Sequence, residues 1–273
     1  MVFSSNPRIL TPGDPPAFST YNESGSAPVL IVCDHAKADV PRKLNQLGLP
    51  QNRLKEHIAV DMGALKASKA LADLINAPLI YSNYSRLVID CNRYPGDEAS
   101  IVNVSDGIRI PGNATATLED RQDRVREIFH PYHAALSARI ESFLEFGTIP
   151  ALLLIHSCTP QLNGGRPRIW DIGILWALDG RLAIPAMEYL NATGDYVVGN
   201  NEPYHLDLGV DYTASEHALR RGLPHLEVEF RQDHLNKQGG PEKWANILYD
   251  SLKPTLSHKN LFQIERHWPT LTS

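Results

Sequence analysis

The chain has little cysteine, no long apolar run and no excess of positive charge. Cys33, Cys91 and Cys158 are its three cysteines, too few and too scattered for a disulfide framework or a cysteine-rich zinc cluster. That usage fits a reducing, cytoplasmic setting. The longest aliphatic stretches, Val29 to Cys33 and Ala151 to Ile155, hold five residues each, whereas a membrane helix needs about 20. No membrane partner is expected. Lys and Arg number 26 against 31 Asp and Glu, a net charge of −5, so no global positive field exists to hold nucleic acid. The sequence also lacks a Gly-x-Ser-x-Gly elbow, a Gly-x-Gly-x-x-Gly turn after a strand and a phosphate-binding loop. A serine hydrolase, a Rossmann dehydrogenase and a P-loop enzyme therefore all lose ground.

What is present is a chain of 273 residues, 42% of them hydrophobic, enough to build a core without cross-links. Residues 1–27 are rich in Ser, Pro and Gly, which predicts a poorly ordered lead-in, and residues 28–273 read as a single domain. Short apolar runs predict strands at Val29–Cys33, Leu79–Tyr81, Leu87–Cys91, Ala151–His156, Ile172–Ala177, Tyr196–Val198 and Leu226–Phe230. Helices are predicted over Met62 to Ile75, Thr117 to Phe146, Ala183 to Leu190, Thr213 to Arg220 and Pro241 to Leu252. Thr117 and Asp120 have the spacing of a capping box. Pro131 should kink or interrupt the long pattern, because it removes a backbone donor. Alternating strands and helices predict an α/β fold with a largely parallel sheet covered on both faces.

Several strands run into reactive residues at their carboxyl ends. Val29–Cys33 leads to Asp34-His35, Leu87–Ile89 leads to Asp90-Cys91-Asn92-Arg93, and Leu152–Ile155 leads to His156-Ser157-Cys158. Ligands of open α/β sheets bind beyond the carboxyl ends of the strands, so these clusters can share one site. Two imidazoles from separate strands with one carboxylate would form a catalytic zinc site. Without a His-Glu-x-x-His pair, its ligands must come from distant segments. In Leu226-Glu227-Val228-Glu229-Phe230-Arg231 the charged residues share one face. They form either the solvated face of an edge strand or a source for a general base. Cys158, two residues after His156, allows a Cys-His nucleophile as a rival chemistry.

Taken in order, Cys33-Asp34-His35-Ala36, the His57 to Ala64 segment with its Asp61-Met62-Gly63-Ala64, Ser85 to Arg93, His156-Ser157 and Leu226 to Asp233 resemble the N-formylglutamate amidohydrolase family. The resemblance covers about residues 28 to 235, and Arg168 ahead of Ile172-Gly173-Ile174 belongs to it. It implies a three-layer α/β/α sandwich around a mixed, mostly parallel sheet, similar to zinc carboxypeptidases and aspartoacylases. The implied activity is metal-dependent hydrolysis of the amide of N-formyl or N-acyl amino acids. His35, Asp61 and His156 would hold zinc or another divalent first-row ion, and Glu229 would be the general base. Asn92, Arg93 and Arg168 would bind the carboxylate of a small-molecule substrate, with Arg86 stabilising the oxyanion or a second carboxylate. Relatives bind zinc through His-x-x-Glu, yet Ala38 stands three residues after His35, so Asp39 or Asp61 must supply the carboxylate. Asp61 is preferred as part of the family pattern. Asp61 as a helix cap, Arg86 as a partner of Asp90 and His133 as a packing residue are the competing structural roles. A metal-free carboxylate-binding protein is the rival outside catalysis. The oligomeric state is left open.

Overall fold

The computed structural model describes residues 9–267. The apolar runs become strands because nearly every side chain in them is removed from water: all five residues of Val29–Cys33 and all eight of Ala151–Cys158 are buried. In chain order the strands are β1 (Phe18–Tyr21), β2 (Val29–Cys33), β3 (Leu79–Ser82), β4 (Val104–Ser105), β5 (Ile108–Arg109), β6 (Ala151–Cys158), β7 (Ile172–Leu175), β8 (Val198–Asn200) and β9 (His225–Arg231). The helices are α1 (Ala64–Ile75), α2 (Pro111–Ala114), α3 (Leu118–Arg124), α4 (His130–Glu145), α5 (Ala183–Thr193), α6 (Gln232–Leu235) and α7 (Gly240–Leu256).

Seven strands form one sheet in the order β1-β3-β2-β6-β9-β7-β8, and β4 and β5 form a separate hairpin. The β1–β3 and β7–β9 pairs are antiparallel and the others parallel, which makes the sheet mixed and mostly parallel. Alternate side chains feed two cores. Ile31, Leu153 and Val228 pack with Leu71 of α1, Leu190 of α5 and Leu248 of α7. Leu30, Val32, Leu152 and Leu154 meet Phe129 and, from α4, Tyr132 and Leu136 on the opposite face. Each fully buried Leu or Ile there contributes about 1.5–3 kcal/mol. The result is the expected α/β/α sandwich.

The segment Leu87–Cys91, expected to be a strand, is a buried loop. Its apolar side chains are at most 1% exposed, but its carbonyls are claimed by side chains rather than by a ladder. The Asn113 amide donates to Leu87 O at 2.8 Å, and the Arg124 guanidinium donates to Val88 O at 2.9 Å. Burial without a strand partner is possible because those donors satisfy the backbone.

Part of the expected lead-in is also ordered. β1 pairs along the sheet edge with β3, and the backbone N–H groups of Ile9 and Leu10 both donate to the Glu127 carboxylate. Residues 1–8 lie outside the described residues. The long helical pattern runs through Pro131 by changing its ladder. A π turn spans Val125–Phe129, where the His130 N–H reaches back to Val125 O, so the missing proline donor falls where the bonding is already shifted. The Thr117–Asp120 capping box forms as expected. The Thr213 to Arg220 pattern becomes a π turn at Ala214–Ala218 and a 3-10 turn at Leu219–Arg221.

Candidate metal centre and substrate cavity

Parity on the sheet decides which polar residues meet. Leu226, Val228 and Phe230 of β9 belong to the α1/α5/α7 core, so Glu227 and Glu229 point to the other face, together with His156 of β6. In register His156 stands beside Glu229, and Glu229 beside Gly173 of β7. A Cβ on Gly173 would lie 2.2 Å from the Glu202 carbonyl oxygen. Glycine therefore lets the 201–204 loop close onto the sheet and bring Tyr204 to the wall.

His35 leaves the end of β2 and Asp61 sits in the turn before α1. Asp61 does not cap that helix: the N-cap is Gly63, at φ 82°. Its carboxylate instead lies 2.9 Å from His156 Nδ1 and 3.3 Å from His35 Nδ1. The two Nδ1 atoms are 3.2 Å apart. One ligand atom from each of the three residues falls within 4.8 Å of the others, and all three side chains are buried. Asp39 is exposed and pairs through its backbone with Tyr84 and Ser85, so geometry favours Asp61 as the carboxylate. Two imidazole nitrogens and a carboxylate oxygen aimed at one point are a donor set for a divalent first-row cation, zinc included.

Each imidazole is backed by a second carboxylate. Asp90 Oδ1 lies 2.7 Å from His35 Nε2, and Asp34 Oδ2 is 3.5 Å from His156 Nε2. Asp34 is fixed through its other oxygen, which accepts from Tyr132 at 2.6 Å and Thr213 at 3.0 Å. Such partners hold a ligand ring in one orientation and raise its basicity. Burial disfavours charge on His156, yet Asp34 and Asp61 outweigh it and move its pKa well up. Burial and Arg86 oppose charge on His35, but Asp90 and Asp61 leave its pKa raised. Asp61 and Asp90 titrate far below the usual carboxylate range despite burial, Asp61 because of the two histidines and Asp90 because of Arg86 and His35.

A cavity of about 680 Å³ opens in front of this cluster. His35, Asp61, Arg86, Asn92, Arg93, His156, Cys158, Glu227 and Glu229 all reach its wall. Arg86 pairs with Asp90 at 2.7 Å, and its Nη1 also reaches within 3.6 Å of Asp61. Arg93 donates to Asp211 at 2.7 Å. Asn92 accepts from the Thr213 N–H at 2.9 Å and points its amide at Asp211, 3.4 Å away, so its side chain is largely taken up within the protein. Arg168 stacks over the Tyr204 ring, 4.7 Å from its centre, and donates to the Tyr204 hydroxyl and to Thr159 O. It pairs with no carboxylate among the described residues. The Cys158 thiol is pushed well up by burial and then by Glu229, which opposes a thiolate nucleophile. Burial, reinforced by Asp61, also raises the Glu229 carboxyl pKa against His156 and the nearby arginines.

Asp211, Asp34 and Tyr204 carry much of this geometry without standing out as site residues in the sequence. Asp211 lies 118 positions from Arg93, beyond any local pattern. Asp34 had a signal, as the carboxylate directly before His35 at a strand end.

A sequence profile of the N-formylglutamate amidohydrolase family matches residues 27–235. No curated protein matches the chain. Among solved structures, a gene product of Agrobacterium tumefaciens is 34% identical, with a TM-score of 0.87 over 92% of this chain and 98% of that one. An N-formylglutamate amidohydrolase from Ralstonia eutropha JMP134 shares the fold at 19% identity, with a TM-score of 0.63 over 87% of this chain and 96% of that one. With most of its length inside the family profile and inside one fold, the chain belongs to the N-formylglutamate amidohydrolase family.

Proposed function

We propose that the protein is a metal-dependent amidohydrolase that cleaves the amide of an N-formyl or N-acyl amino acid, N-formylglutamate being the family's namesake. The convergence of His35, Asp61 and His156, with Glu229 in register beside His156, carries this reading. A divalent ion, zinc by preference, held by those three side chains would make a water acidic enough to attack and would polarise the acyl carbonyl. Glu229 takes a proton at one carboxylate oxygen and returns it to the leaving amine. Its Oε2 is buried and has no hydrogen-bond partner among the described residues, as a group reserved for substrate or water would be. The raised pKa brings the carboxyl closer to neutral pH, where a base can both accept and release a proton.

Arg86, anchored by Asp90, presents Nη1 toward Asp61 and stabilises the developing oxyanion. Arg168 is not itself on the cavity wall but is joined to Thr159 and Tyr204, which line it, and its fork, held only by neutral acceptors, receives the substrate carboxylate beside Tyr204. Arg93 lines the cavity as a secondary contact, positioned by Asp211 and by the carbonyl of Asn92. The buried, unpaired thiols support a cytoplasmic setting. No helix among the described residues is long and apolar enough to cross a membrane.

Hydrolysis of N-formyl amino acids by the Glu229→Gln and Cys158→Ser variants tests the reading. Glu229→Gln should lose about 10²- to 10⁴-fold in kcat, the span for a positioned base, while Cys158→Ser keeps most of its turnover. Loss in Cys158→Ser with activity retained in Glu229→Gln would transfer the chemistry to the thiol.

A further inference from the structure

Tyr204 reaches the cavity wall on a loop for which the sheet gives up two side chains. Gly173 of β7 and Gly199 of β8 are paired in register, and a Cβ on them would lie 2.2 Å and 2.4 Å from the Glu202 carbonyl oxygen. Glycine inside a strand weakens it, and often marks close approach of another backbone. Asn201 fixes the start of the loop. Its side-chain oxygen accepts from the Trp176 N–H at 2.9 Å, and its own N–H donates to Ile174 O at 2.9 Å. Apolar packing does not explain the arrangement, because the tyrosine that the loop delivers is still 42% exposed.

The delivered hydroxyl has a proton to give. Arg168 donates to the Tyr204 oxygen, and a guanidinium cannot accept, so the phenol's own proton has no acceptor among the described residues. Burial of the hydroxyl, and then Glu229, raise the phenol pKa against Arg168, which keeps that proton on the oxygen. Glu229 is close: the Cβ position on Gly173 that meets Glu202 lies 3.2 Å from the Glu229 Cβ. Burial opposes the charge on Arg86, but Asp90, Asp61 and Tyr204 raise its pKa, so the phenol and this guanidinium also lie within electrostatic reach of each other.

We infer that Tyr204 is a catalytic residue whose hydroxyl donates, with Arg86, to the oxyanion formed from the acyl carbonyl. The inference rests on the amidohydrolase reading and adds a donor to it. As water attacks, its oxygen bonds to the acyl carbon, its proton passes to Glu229 and the carbonyl electron pair moves onto the oxygen that Tyr204 and Arg86 stabilise. The C–N bond then breaks, the amine leaves with the Glu229 proton, and the carbonyl re-forms in the released acid. A carboxylate held by Arg168 brings that oxygen toward the phenol, since only the α-carbon and the amide nitrogen separate the carboxyl from the acyl carbon.

Tyr204→Phe keeps the ring beside Arg168 and removes only the hydroxyl. With N-formylglutamate as substrate of the holoenzyme, kcat should fall by about 10²-fold or more, the usual loss for one oxyanion donor, while KM changes by less than about threefold. Unchanged kcat overturns the inference; if KM rises instead, the hydroxyl serves the substrate carboxylate. Calorimetry gives a reading without turnover. N-formylglutamate and N-(methylphosphonyl)glutamate, tetrahedral with an anionic oxygen at phosphorus, are titrated into Glu229→Gln holoenzyme with and without Tyr204→Phe. The phosphonyl compound should bind about tenfold or more weakly once the hydroxyl is gone, and N-formylglutamate about equally well. Equal loss for both ligands overturns the inference, as does no loss for either. A selective loss together with no hydrolysis of N-formyl amino acids by the wild type would overturn the amidohydrolase reading and leave the phenol's contact with the anionic oxygen standing.

Discussion

Asp34 gains a role from what lies on either side of its carboxylate. One oxygen is held by Tyr132 and Thr213, and the other is left facing His156 Nε2. Asp34→Asn should therefore weaken metal affinity by about 10- to 100-fold, the usual effect of removing such a partner, read by chelator competition. Tyr132→Phe, which removes one of the two donors to Asp34, should weaken it less. Affinity unchanged in Asp34→Asn would show that His156 is oriented by other contacts.

At this scale the sequence revealed residues whose signal is local. His35 and His156 follow apolar strands, and Glu229 alternates with buried neighbours, so position and face could both be read. The Asn92-Arg93 pair was harder, because its environment depends on Asp211 from a distant loop. Arg93→Ala and Arg168→Ala separate the two guanidiniums. Arg168→Ala should raise KM for an N-formyl amino acid by about 10- to 150-fold, the worth of a charge-assisted hydrogen bond. Arg93→Ala should raise it less, and the reverse order would return the carboxylate to Arg93.

The Leu87–Cys91 segment shows where apolar pattern misleads about an element. Its side chains are as buried as those of a central strand, but its carbonyls bond to Asn113 and Arg124 instead of to a neighbouring strand. Periodicity reports burial and is silent on the partner of the backbone. Arg124 is 1% exposed and also donates to Asn113 Oδ1 at 2.7 Å, so one guanidinium ties two parts of the support beneath the Arg86–Arg93 loop. Arg124→Met keeps most of the volume but strands two buried acceptors, at about 1–3 kcal/mol each before the relief of burying no charge. Urea unfolding should show a net loss near 2 kcal/mol, and a variant as stable as the wild type would show that the loop holds its own shape. The edge strand β1 escaped the sequence reading for a related reason: its four residues are only half-buried, and its surroundings are rich in Pro, Ser and Gly.

Over the whole molecule the sheet separates an apolar core from a face in which polar groups are embedded. His133 and His217 are buried there with their rings stacked, joined by a 2.9 Å hydrogen bond. Burial lowers their pKa values to about 4 and about 3. Unfolded, both would titrate near 6.5. Between that value and about 4 these two imidazoles bind protons in the unfolded chain and not in the folded one, so their contribution lowers stability as pH drops through this window, while the raised carboxyls of Glu227 and Glu229 act in the opposite sense above about 4.5. The slope is up to about 1.4 kcal/mol per pH unit for each imidazole. A His133→Phe/His217→Leu variant should lose less stability than the wild type between pH 7 and pH 5 in urea titrations; equal slopes would place the acid sensitivity elsewhere. The sandwich itself was legible because strand burial and alternation are written along the chain, whereas the pairing of one histidine with another across 84 residues was not. The central claim is that one divalent ion belongs to His35, Asp61 and His156, and elemental analysis of protein purified without chelators tests it most directly. The account predicts about one equivalent of zinc or a similar first-row ion per chain, lost in a His35→Ala/His156→Ala variant that still folds. A full equivalent retained by that variant, or a wild-type protein that hydrolyses N-formyl amino acids undiminished after all metal has been removed, would contradict it.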